Sequence, residues 1–336
     1  MLLIQTLVAA AAVVPGQQGE VIDAILQAFD SAWVVAIGEN HGHAELHELL
    51  LALLEDPRTP ELVDDIAVEW GNALYQPIVD RYVRGDSAPW DSLTMAWRNT
   101  IVSPNTVWDA PMYAQFFRAV RLINESLDSA HQYRVLLVDS PVDWSVAASV
   151  ADLRPFLDRA TSMAEVIRKQ SLLRGRRSLF IAGGLHVARR PRVRLNRSGV
   201  PIGEVTPVAW LELRHPGCCF VFQSMGAAAR LGVSELIGDG APRVVRLDET
   251  SELSHIEANR TTTLRDRDGS RPRVYGDAVL ADIVDAVILW DMEDVTLLEP
   301  DPSVYSVDWY WTELNRRSLM LRGQPMDSSL RSITPP

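Results

Sequence analysis

The sequence predicts an α/β protein: an open, mostly parallel β-sheet flanked by helices, with a helical insertion over the C-terminal ends of the strands. Three observations predict it. Short, continuous apolar runs recur along the chain, and runs without strict alternation suit strands covered on both faces. The gaps between them are long and carry helical spacing. The two patterns alternate, as a parallel sheet with crossover helices requires.

The first run is Trp33–Ile37 (WVVAI). A helix over Glu45–Leu54 follows, because Leu46, Leu49, Leu50 and Leu53 share one face. The second run, Asp65–Glu69 (DIAVE), opens onto an insertion over 70–133 that holds Trp90, Trp97 and Trp108 with Pro89, Pro104 and Pro111. Within it, Phe116, Phe117, Val120, Ile123 and Leu127 mark a helix over Tyr113–Leu127. The insertion reads as a helical layer on the sheet, a lid or substrate wall. Further strands are expected at Arg134–Asp139 (RVLLVD), Ser178–Ala182 (SLFIA), Val208–Leu213 (VAWLEL), Cys219–Gln223 (CFVFQ) and Ala286–Trp290 (AVILW). Arg189–Ile202, basic and broken by Pro191 and Pro201, reads as a loop, and the polar stretch Asn259–Val274 as a flexible surface loop. Residues 19–322 then form one α/β domain, and 323–336 a loose tail.

Residues 1–18 are a signal peptide or an N-terminal helix. The apolar stretch Met1–Val14 has the length of a signal-peptide core and small residues at Ala9–Ala12, but no basic residue precedes it. A signal peptide would place the protein in the periplasm or outside the cell, and a helix would leave it in the cytoplasm. The stretch is short for a membrane span, and no later run approaches that length.

Composition narrows the function. The chain of 336 residues has a formal net charge of −12, which argues against a nucleic-acid partner, since neutralising phosphates needs a basic stripe. Lys169 is the only lysine, a bias of genome composition before function. The two cysteines, Cys218 and Cys219, are adjacent, so neither a disulfide framework nor a cysteine zinc site can be built.

Polar residues gather where the expected strands end. Strand one ends in Gly38-Glu39-Asn40-His41, strand two in Glu69-Trp70-Gly71-Asn72, strand three in Asp139-Ser140-Pro141, and strand four in Gly183-Gly184-Leu185-His186. In open α/β sheets ligands bind outside the carboxyl ends of the strands. Side chains from four such ends would converge there on rigid supports. Histidine accepts and returns a proton near neutral pH, and a neighbouring carboxylate orients the ring. Each alone has a plainer fate: a histidine bonded to backbone, a glutamate capping a helix or pairing with arginine. Taken together, the four ends form a site, because buried charges are costly unless used. Gly-x-Ser-x-Gly is absent, so attack by an activated water is expected rather than an acyl-enzyme.

His41, Glu39, Glu69 and His186 are the candidate catalytic residues; Asn72, Arg98, Trp108 and Asp139 are the candidate substrate contacts. A wall carrying Arg98, Trp108, Asp109 and Tyr113 suits a small molecule with apolar bulk and an anionic or carbonyl group. His43 and His47 lie four apart on the expected helix. Beside His41 they invite a metal reading, although His47 and Glu48 read first as solvated helix residues.

These motifs resemble the superfamily of erythromycin esterases, ChaN-like haem-binding lipoproteins and TraB/Tiki proteins. The carriers are the strand leading into Gly38-Glu39-Asn40-His41, the strand ending in Val68-Glu69, and the strand leading into Gly183-Gly184-Leu185-His186. The nearest likeness is to a group of uncharacterised bacterial proteins with DIAVEWGNALYQ, WRNT (Trp97–Thr100) and VLLVDSPVDW, from Ala24 to about Arg190. The esterase branch implies ester or lactone hydrolysis, with His41 as base, Glu39 and Glu69 orienting it or holding water, and His186 assisting. That branch usually spaces its glutamate and histidine one residue further apart. The ChaN branch, closer in that spacing, implies haem or iron binding without catalysis. The Tiki branch implies a metal-dependent peptidase, a divalent metal held by His41, His186 and Glu69, with His43 in second rank. The leading expectation is a hydrolase of an ester, lactone or related acyl bond; haem binding and metallopeptidase activity are the alternatives.

Overall fold

The computed structural model describes residues 15–195, 201–226, 242–261, 273–291 and 295–332. The apolar start Met1–Val14, the centre of the polar loop (262–272) and the last four residues lie outside them. No described helix is long and apolar enough to cross a membrane.

Seven strands form one sheet. In chain order they are β1 (Val34–Glu39), β2 (Asp65–Asn72), β3 (Arg134–Asp139), β4 (Ser178–Gly183), β7 (Cys219–Met225), β8 (Arg243–Arg246) and β9 (Ala286–Leu289). Their spatial order is β3-β2-β4-β1-β7-β9-β8, and every pairing is parallel except β8 with β9. The remaining strands, β5 (Arg192–Leu195) and β6 (Pro201–Glu204), pair as a separate antiparallel hairpin where a loop was expected.

Alternation along β1 shows why the runs are apolar throughout. Val35 and Ile37 enter one hydrophobic core; Val34 and Ala36 enter the other. The first core is closed by α1 (Pro15–Ala28), α2 (Ala44–Glu55), α3 (Gln76–Val83), α4 (Trp90–Arg98) and α5 (Pro111–Ser126), so three of its five helices come from the expected insertion. The second is closed by α6 (Arg159–Gln170), the single turn α7 (Gly184–Val187) and α8 (Pro207–Arg214). The C-terminal helix α9 (Asp308–Arg322) ends at Gly323, whose φ of 72° is the left-handed cap that glycine adopts without strain. Beyond it the chain turns back: Met326 N–H donates to Asn315 Oδ1.

The expected strand at Val208–Leu213 is instead α8. Thr206 caps it by accepting from Ala209 N–H at 3.0 Å, and Pro207 occupies the first turn. Val208, Ala209, Trp210 and Leu211 are all buried, and a buried helical turn leaves the same apolar run as a strand.

Two features of the sheet arrange its strand ends. β4 lies between β1 and β2, so the carboxyl ends of these three strands are neighbours. Register between β2 and β3 shifts between Val68 and Asn72, and such an irregularity re-aims the side chains of a strand end.

Candidate functional site

At the carboxyl end of β1, Glu39 is buried and His41 lies just beyond the strand, its side chain about a third exposed at 34%. His41 Nδ1 lies 2.9 Å from Glu39 Oε1. Its Nε2 makes no hydrogen bond among the described residues. The ring packs edge-on against Trp108, with centroids 4.5 Å apart. On its other side lies Gly183. A Cβ there would stand 2.7 Å from His41 Cε1 and 3.3 Å from Glu69 Oε2, so only glycine lets both approach. Tyr113 completes this half: its hydroxyl accepts from Gly42 N–H at 3.1 Å and helps to lower the Glu39 pKa.

The second half is built on Glu69, which is 1% exposed. Its Oε2 accepts Gly183 N–H at 2.6 Å. Its Oε1 receives Arg159 Nη2 at 2.8 Å and lies 3.1 Å from His186 Nε2. Arg159 also donates from Nε to Asp139 Oδ1 at 2.7 Å, and so ties the ends of β2 and β3 together from the start of α6. Asp139 Oδ2 accepts Ile101 N–H from the segment after α4.

The two glutamates are tuned apart. Burial raises the Glu39 pKa, opposed by the bond to His41. Burial also opposes the charge of Glu69, yet its contacts with His186 and Arg159 prevail and hold it well below the usual range. For His41, burial disfavours the charged ring, but the Glu39 bond and the charges of Glu69 and Glu39 outweigh it and raise its pKa. Burial raises Asp139 despite Arg159.

The structure therefore brings together Glu39, His41, Glu69, His186, Asp139 and Trp108. Asn72 and Arg98 stand apart. Asn72 is fully buried and spends its amide on Asn99 O (2.6 Å) and Val142 O (2.8 Å) while capping Leu74 N–H. Arg98 is paired with Asp109 at 3.1 Å; Tyr310 donates to the same carboxylate, whose pKa burial pushes up to about 6. His47, expected as a solvated helix residue, is buried beside Phe116, because helical spacing places it on the core side of α2. His43 is fully buried against Trp290. Burial lowers both histidines to about 4. Arg159 was not anticipated from sequence. Its one signal is charge bookkeeping, since three buried acids at strand ends need a buried cation.

The donor set does not suit a divalent metal. Arg159 Nη2 contacts Glu69, and Nη1 lies 3.5 Å from His186 Nε2, so a guanidinium occupies the position where His186 and Glu69 would share a cation. Among the described residues, only Glu212, Cys218 and Cys219 bring three such ligand atoms together. There Glu212 already accepts the N–H groups of Gly217 and Cys219 and pairs with Arg189. A haem iron asks for one free imidazole nitrogen, and His41 Nε2 meets that condition.

No protein-family model matches the chain, nor does any curated protein sequence. Solved structures do. A protein from Bacillus cereus is similar with a TM-score of 0.54 and 10% identity, over 83% of this chain and 93% of that one. The erythromycin esterase EreC in its open conformation is similar with a TM-score of 0.49 and 11% identity, over 83% and 95%. A succinoglycan biosynthesis protein is similar with a TM-score of 0.47 and 10% identity, over 80% and 90%. The first of these likenesses supports the fold and nothing finer.

Proposed function

We propose that this chain is a hydrolase that cleaves an ester, lactone or related acyl bond with water activated by His41. One observation carries the reading: Nδ1 of His41 is held on a buried carboxylate while Nε2 is unbonded on a partly exposed ring. That is the arrangement of a general base with a fixed tautomer. Glu39 orients the ring and stabilises the imidazolium formed when Nε2 takes the proton from water. Tyr113 and the packing of Trp108 and Gly183 hold the pair in place. Arg159 and His186 are gathered on Glu69; Arg159 supplies positive charge, and His186 a hydrogen-bond donor, toward the oxyanion that forms as water adds to the carbonyl. The esterase-branch resemblance of the motifs likewise implies His41 as base, Glu39 as its orienting group and His186 as an assistant; Arg159 has no part in it.

The test is hydrolysis of a graded panel of esters and lactones by the purified chain in ¹⁸O-water. One labelled oxygen in the released acid, with no trappable acyl-enzyme, is the expected result. A panel left untouched by a chain that takes up haem with a Soret band would replace this reading with the haem-binding one. Activity lost to a chelator and restored by a divalent metal would replace it with the peptidase.

A further inference from the structure

A cavity of about 730 Å³, within the range of small-molecule sites, lies between α9, α4 and the segment following β3. None of Glu39, His41, Glu69, Asp139, Arg159 or His186 lines it. Asn99 stands on its wall, and its carbonyl accepts from Asn72, a residue the fold keeps out of the candidate catalytic cluster, so the cavity is separate from that cluster. Trp144, Trp309 and Met320 give it an apolar surface; its charged groups are Glu313, Arg316 and Arg317.

These charges do not balance. Glu313 is held by Arg316 through contacts of 3.1 and 2.8 Å, and Arg316 spends its other donors on the carbonyls of Ala147 and Trp144. Arg317 reaches the same carboxylate only at 3.4 Å. Its other partners are neutral, Asn99 Oδ1 at 2.8 Å, Ser103 Oγ at 3.0 Å and Arg98 O at 3.4 Å, and its Nε has none among the described residues. Yet its side chain is 2% exposed. Asp109, the acid beyond, is committed to Arg98 and Tyr310. A buried guanidinium without a full counter-charge is costly, and a ligand anion removes that cost. The Trp144 ring stands against the same guanidinium at 4.7 Å, an aromatic surface beside the charge.

We infer that this cavity binds a small carboxylate with an aromatic or similarly apolar body, the anion drawn to Arg317 and the body packed on Trp144, Trp309 and Met320. The probe is 1-naphthoate, titrated by calorimetry into the full chain beside its neutral carboxamide. Saturable binding is expected, with the acid about tenfold tighter than the amide. Ala148→Trp, at an exposed position on the rim, should weaken it about tenfold without changing thermal stability. Arg317→Gln should erase the preference for the acid. His41→Ala should leave the binding unchanged, which separates this site from the proposed hydrolase. Naphthoate binding weaker than about 5 mM, or equal affinity for acid and amide, would overturn the inference. So would binding that survives Ala148→Trp and is lost in Arg159→Gln, since it would then belong to the catalytic cluster.

Discussion

Strand β2 carries one buried carboxylate at its start and another in its carboxyl half, toward its end, and the two are used differently. Asp65 at its start is fully buried and takes Arg134, Arg176 and the Ser171 hydroxyl. Glu69 toward its finish is as deeply buried, but its partners are a backbone N–H, one arginine and a histidine, with a second histidine across Gly183. Arginine does not give up a proton at any working pH; histidine does. Asp65 is therefore closed as a structural clamp holding β2 to β3 and to the segment entering β4. Glu69 is placed among groups that can exchange protons with a bound molecule. A buried strand-end acid is thus no evidence of a site by itself. Its partners decide.

The strongest way to break this contrast is to remove the base. His41→Ala should lower hydrolysis of any substrate found by about 10²–10⁴-fold, the usual worth of a positioned general base. Its thermal unfolding temperature should fall only modestly, because the ring is partly exposed and Glu39, whose pKa burial already raises, can take up a proton once the ring is gone. A variant that unfolds early, or keeps its rate, would place the end of β1 with the structural clamps.

Legibility in the chain divides along the same line. The ends of β1 to β4 were legible because each polar residue directly follows an apolar run, so Glu39, His41, Glu69, Asp139 and His186 could be named in advance. Partners drawn from elsewhere could not. Arg159 lies twenty residues beyond Asp139 in a polar stretch, and only the fold brings it back over the sheet. Asn72 has the position of a site residue and the bonds of a strut, a difference visible only once Asn99 and Val142 are seen beside it. The α8 segment misread as a strand carried its correction in Thr206-Pro207, a capping signal outweighed by the apolar run after it.

Asp65→Asn tests the other end of the strand. It leaves Arg134 and Arg176 facing a neutral amide in a buried setting. Breaking such a pair should cost about 2–4 kcal/mol in a urea titration. Turnover per folded molecule should not change. A fall in turnover with stability intact would reverse the assignment of the two ends.

His47 offers a histidine control. It is more deeply buried than the site histidines and has no acid against it among the described residues, and burial holds its pKa at about 4. The folded state keeps it neutral, whereas the unfolded chain takes up a proton near pH 6.5. Its contribution is thus fully present above about pH 6.5 and is lost as pH falls toward 4, about 2 kcal/mol of it by pH 5. Urea midpoints at pH 7 and pH 5 should therefore lie closer together in His47→Leu than in the parent. Equal losses in both proteins would show that burial alone does not hold this ring neutral.

Glu39→Gln has the smallest expected effect and separates burial from charge at His41 itself. Burial acts on both rings to lower their pKa, yet the pKa of His41 is raised; the bond to Glu39 is the largest contribution in that direction, followed by the charges of Glu69 and Glu39. A glutamine keeps the size of the side chain and an oxygen to accept Nδ1–H, but removes the charge. The His41 pKa should then fall, with Glu69 still holding it up in part. A base works only when unprotonated, so the acid limb of kcat/KM should move to lower pH by the same amount. The plateau above it should also fall, because the imidazolium formed on proton uptake has lost its counter-ion. The two changes have opposite signs below the limb, so the pH profiles of parent and variant should converge toward acid and separate toward neutral. A limb that stays in place, or moves to higher pH, would mean that Glu39 does not act on His41 and that the base of this site is another group.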